Sequence, residues 1–169
     1  HFATTDVPAT LLFTAGLWHA VAAYESGTLR QYFLAGATAG FAMSTKYPAG
    51  LVFLAVPVAA ALGRVQVKRL VVAALAFAVA FFVGTPFAAF DPRAFLDDMV
   101  TEWIATRLGF LGATHPDALY YVQRLGPVTM GAALLGAIAL VLKRPRQCLV
   151  LLAGTLPLAL LMSAELIKL

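Results

Sequence analysis

The stretch LVVAALAFAVAFFV (70–83) holds no charge, no proline and no side-chain hydrogen-bonding group. A segment of this kind is bounded by its backbone, whose polar groups find no water in hydrocarbon and must pair within a helix or a closed barrel. Period-two alternation is absent, so the helix is the reading. Similar apolar segments run over 7–24, 31–45, 49–63, 70–90, 128–142 and 148–164. A helix crosses the hydrocarbon core in about 20 residues, or about 17 at the short end. The first, fourth and sixth segments reach that length alone or nearly so. The second and third are short and are separated by Lys46-Tyr47-Pro48. Proline disfavours the helical region for the residue before it, so this tripeptide reads as a tight turn between two helices. Charged residues make up 12% of the chain, against about 25% in soluble domains. The fold class is therefore all-α: a polytopic transmembrane bundle of about six spans. Gly36 and Gly40 form a small-residue stripe that permits close helix contact.

The interruptions between segments carry the charges. If every segment spans, alternate gaps share a side. One side then holds seven Lys/Arg (Arg30, Arg64, Lys68, Arg69, Lys143, Arg144, Arg146) and a single acid, Glu25. The other holds five (Lys46, Arg93, Arg107, Arg124, Lys168) and the remaining seven acids. Basic residues concentrate in short cytoplasmic loops. Asp6, Lys46 and the stretch 91–124 accordingly face outward from a bacterial-type plasma (inner) membrane. Short basic clusters between apolar runs do not make a nucleic-acid surface. Cys148 is the only cysteine, which leaves no intramolecular disulfide. In DPRAFLDDMVTEWIATRLGFLG the apolar residues Phe95, Leu96, Met99, Val100, Trp103 and Ile104 recur at helical spacing. Asp91 caps that helix and Pro92 opens it. The spacing predicts an amphipathic helix over 93–106 lying at the outer interface.

Few residues can carry chemistry. Asp6 precedes the first span: it can cap a helix, or stand at a cavity edge, orienting a substrate hydroxyl or holding a divalent cation. Lys46 is the one cation in a long uncharged stretch. It can snorkel to the surface or face an anionic headgroup such as a phosphate. Tyr120 and Tyr121 suit the headgroup belt. His1 and His115 lack a partner at metal-ligand spacing, and His19 reads as a helix–helix polar contact. The ligands of any metal are unknown from sequence. GTPF (84–87) is a helix end rather than a phosphate loop, because it lacks the lysine.

Four stretches in order, HFATTDVPATLLF (1–13), GFAMSTKYPAGLVFL (40–54), FFVGTPFAAFDPRAFLDD (81–98) and DALYYVQRLGP (117–127), resemble membrane glycosyltransferases of the GT-C type. More narrowly they are similar to glycosyltransferase family 39, the dolichyl-phosphate-mannose-protein mannosyltransferase-like group. The resemblance implies an enzyme that moves a sugar from a polyprenyl-phosphate-linked donor to a lipid, protein or glycan acceptor at the outer face. It implies a base in a first outer loop that precedes this sequence, so the chain is expected to be an internal fragment of one transmembrane domain, inactive alone. Asp6 matches the family's second acidic position and is the candidate catalytic residue here. Lys46 matches the lysine before the short turn and is implied to contact the carrier phosphate. His1 departs from a position where relatives place a cation. Tyr47, Arg93, Tyr120 and Arg124 complete the candidate substrate-binding set. No cofactor is expected, apart from a possible divalent cation. A transporter or flippase for a lipid-linked or small anionic substrate is the alternative, and an assembly subunit docking a partner through 91–124 is a third reading.

Overall fold

The computed structural model describes residues 6–64, 66–108 and 118–164. Every regular element among them is helical. They are α1 (Asp6–Ser26), α2 (Leu29–Thr45), a 3-10 segment (Tyr47–Leu54), α3 (Ala55–Leu62), α4 (Val67–Gly84), α5 (Phe87–Phe90), α6 (Pro92–Leu108), α7 (Ala118–Lys143) and α8 (Pro145–Ala164). Three helices are long and apolar enough to cross a membrane: Asp6–Ser26, Val67–Gly84 and Gly126–Lys143. The chain divides into two compact units, residues 1–86 with 146–158, and residues 87–145 with 159–169.

The first unit is built with small residues inside and large ones outside. Ala20, Ala23, Ala35, Ala39, Ala42, Ala55, Ala59 and Ala73 are buried, while Val7, Leu11, Trp18, Val71, Leu75 and Val79 are exposed. Water would not tolerate that arrangement, but a lipid solvent is as apolar as leucine. Close backbone approach then drives helix association. α2 and α4 take this furthest: a Cβ on Gly36 would lie 2.0 Å from the Ala73 carbonyl oxygen, and one on Gly40 2.2 Å from that of Phe77. Matching 36 with 73 and 40 with 77 makes the two helices parallel. α1 and the segment from Tyr47 to Leu62 run the opposite way. Ala20, Ala55, Ala59 and Val150 form one cluster, which brings the start of α8 onto α1 and α3.

The segment after Lys46 differs from the expected simple helix. Its first eight residues are 3-10 and its next eight are α-helix. At about 2.0 and 1.5 Å per residue these rise about 28 Å, where an all-α segment would rise about 24 Å. The stretched form comes nearer to the thickness of a hydrocarbon core, about 30 Å. Its Phe53 ring packs on Phe77 of α4 with centroids 4.7 Å apart. The fourth apolar segment is also shorter than its hydropathy suggests. α4 stops at Gly84, because Pro86 has no N–H to continue the ladder and disfavours helix at Thr85.

In the second unit α6 begins as expected. The Ala94 amide donates to Asp91 Oδ1 at 3.0 Å, and Pro92 takes the first helical position. Leu96, Val100 and Ile104 form an exposed apolar stripe along it. Asp91→Ala should cost this helix about 1 kcal/mol and raise the exchange rate of the Ala94 amide, which hydrogen–deuterium exchange reads directly. α7 breaks at Gly126, whose φ of 75° and ψ of 157° are not helical. Its remainder, to Lys143, is exposed and apolar on all sides, as suits a helix surrounded by lipid.

Candidate active site at the Asp6 end

Antiparallel α1 and α2 bring the first residue of one beside the residue that ends the other. Asp6 stands in the first turn of α1, where the helix dipole favours a negative charge. Lys46 ends α2 in an extended conformation (φ −154°, ψ 112°) and its amide closes α2 on the Ala42 carbonyl at 2.9 Å. A cation suits that carbonyl-rich end. The lysine Nζ donates to Asp6 Oδ1 at 2.6 Å, and both side chains remain about half exposed. Residues forty positions apart thus form one charge pair. Pairs this exposed stabilise a fold by only about 0.2–1 kcal/mol, so stability gives little reason for the arrangement.

Two hydroxyl residues precede Lys46 in the chain. Ser44 and Thr45 both donate to the Phe41 carbonyl, each at 2.8 Å. Their oxygens keep lone pairs for a further donor. The end of α4 packs on the same place: a Cβ on Gly84 would lie 2.3 Å from Ser44 Oγ. The next residue, Thr85, has a buried hydroxyl with no hydrogen-bond partner among the described residues. A buried hydroxyl left unpaired costs about 1–3 kcal/mol. Sequence reasoning did not single Thr85 out. Its signal was a lone hydroxyl between the glycine and the proline that end an apolar run.

The other candidates distribute unevenly. Tyr47 follows Lys46 directly and is half-buried. Arg93 is exposed near the start of α6, in the second unit. Tyr120 and Arg124 fall within α7, their side chains outside the described residues, as is His1. For a divalent cation the donor set does not fit. Asp6 is the one carboxylate at this end, and no group of three ligating side chains lies together among the described residues. No step is assigned to a metal here. His19 makes the expected helix–helix polar contact, with its Nδ1 2.8 Å from Gln31 Oε1.

The described residues thus define a helical membrane protein with a cation and a carboxylate paired where two helix ends meet. Its family is specific: the model for dolichyl-phosphate-mannose-protein mannosyltransferase matches residues 1–90. That is more than half of the chain and includes Asp6, Lys46 and Thr85. The chain belongs to this family, and is of the membrane glycosyltransferase kind. No curated protein and no solved structure matches it.

Proposed function

We propose that the Asp6 end receives the sugar-phosphate of a polyprenyl-phosphate-linked donor and takes part in transferring the sugar to an acceptor hydroxyl at the outer face. The observation that carries this reading is the 2.6 Å contact of Lys46 with Asp6, within the stretch the family model covers. In the transfer, the acceptor oxygen bonds to the sugar's anomeric carbon as that carbon's bond to the phosphate oxygen breaks. The bonding pair leaves with the phosphate, and the acceptor's proton passes to the base that the family resemblance expects in an outer loop. Lys46 supports the charge that gathers on the departing phosphate. Asp6 fixes the ammonium in place and accepts a hydrogen bond from a sugar or acceptor hydroxyl. Tyr47, next to Lys46 in the chain, offers a further hydroxyl to the same headgroup. The charged sugar-phosphate stays at the wet rim, because hydrocarbon would not solvate it.

Membranes containing the full protein, given polyprenyl-phosphate mannose labelled in the sugar, should pass label to an endogenous acceptor. Asp6→Asn should slow that transfer on the order of 100-fold, the usual effect of losing one preorganised polar contact. Wild-type turnover in the variant would remove Asp6 from the site. Movement of intact labelled donor across the bilayer, with no glycosylated product, would replace the transferase reading with a flippase.

A further inference from the structure

The opposite end of the first unit gathers cations that the transfer chemistry does not use. Arg30 lies in the first turn of α2, and Lys68 and Arg69 in the first turn of α4. Neither first turn holds an acid, and neither cap, Thr28 or Gln66, bonds its helix through a side chain. Cations are unfavourable beside the positive end of a helix dipole, and these two first turns hold three. Arg69 is held at the α1–α2 turn: its guanidinium lies 3.0 Å from where a Cβ on Gly27 would stand, and Gly27 has a φ of +60°. Arg30, Lys68 and Arg69 make no ion pair among the described residues. Glu25, the unit's one acid besides Asp6, is bonded by Gln147. Tyr32, fully buried among the ends of all four helices, has a hydroxyl without a partner among the described residues.

An apolar groove starts at this end. It has a volume of about 320 Å³ and is lined by Phe33 and Phe41 of α2 and by Val72, Leu75, Val79 and Val83 of α4. Ala37, Ala76 and Ala80 line it as well, so it is deepest where the side chains are smallest. Three unpaired cations at the head of a hydrocarbon-lined trough describe an amphiphile. We propose that this surface binds an anionic phospholipid, its phosphate on Arg69 with Arg30 and Lys68 beside it, and one acyl chain along the α2–α4 groove. The groove separates this ligand from a free phosphate, and the proposal is independent of the transferase reading.

The test is native mass spectrometry of the purified protein equilibrated with equal phosphatidylglycerol and phosphatidylcholine, counting each lipid retained. Phosphatidylglycerol should be enriched. Arg69→Gln should lower that enrichment about fivefold, the effect of one basic residue near an anionic surface, while Arg69→Lys keeps most of it. Arg146→Gln, a cation of the same end carried on α8 rather than beside the groove, should lower it clearly less than Arg69→Gln does. Val79→Trp, which fills the groove without altering charge, should reduce retention of both lipids. Equal losses in Arg69→Gln and Arg146→Gln would mean a diffuse surface field and overturn the seat. Unchanged retention in Val79→Trp would overturn the groove. Inorganic phosphate raising the melting temperature as much as phosphatidylglycerol would overturn the lipid as ligand.

Discussion

Gly36→Val should leave no folded first unit. Even the first atom of the new side chain would lie 2.0 Å from the Ala73 carbonyl oxygen. That neighbour is backbone, so no rotamer change relieves the overlap. α2 and α4 would have to part along their length, which would expose Tyr32, Ala35 and Ala73 and undo the cluster they share with Ala23, Val56 and Ala60. Ordinary overpacking costs about 1–3 kcal/mol where side chains can rearrange. This case should exceed that range. Detergent extracts of the variant should give an aggregated profile on size-exclusion chromatography, with no cooperative melt. Ala37→Val, one residue on and facing the groove, should extract and melt as wild type within about 0.5 kcal/mol. A wild-type melt for Gly36→Val would mean that the two helices do not touch.

Lys46→Ala should separate activity from folding. The transfer rate is expected to fall about 10²–10³-fold, as when one preorganised donor to developing charge is removed. The melting temperature should barely move, since the pair with Asp6 is half exposed and contributes at most about 1 kcal/mol. Lys46→Arg should retain an intermediate rate: it keeps the charge but carries it on a broader, planar group. Parallel rate and melting measurements check both statements. A rate within about threefold of wild type for Lys46→Ala would set aside its role toward the phosphate.

Much of this was legible before any coordinates, for physical reasons that differ by element. Hydropathy marked α1 and α4 as long enough to cross, because a span is defined by what it lacks, but it gave that length to the sixth segment where the structure gives it to the later half of α7. The cap of α6 was readable from two adjacent residues, Asp91 and Pro92. Gly36 and Gly40 announced a close contact, though not that α4 would be the partner. The 3-10 segment was hidden. Its composition suits an α-helix equally well, and only the distance to be crossed distinguishes the two. The overlong estimate for the fourth segment came from reading hydropathy through Thr85 and Pro86, which interrupt a backbone ladder without lowering apolar content. Charge alternation could place Asp6 and Lys46 on one side, but a contact forty residues apart depends on the lengths of two helices and the turn that joins them. Thr85 left only the trace of a hydroxyl between a glycine and a proline, and its burial exists only once its surroundings have closed around it.

The parallel contact between α2 and α4 has a mechanical result. Gly36, Gly40 and Gly84 each press on a neighbour from the other helix, so neither rod can slide along the other without an atom striking the opposite chain. Lys46 and Thr85, which terminate the two rods, are thereby mounted like the fixed jaw of a clamp: two backbones, not adjustable side chains, set where they stand.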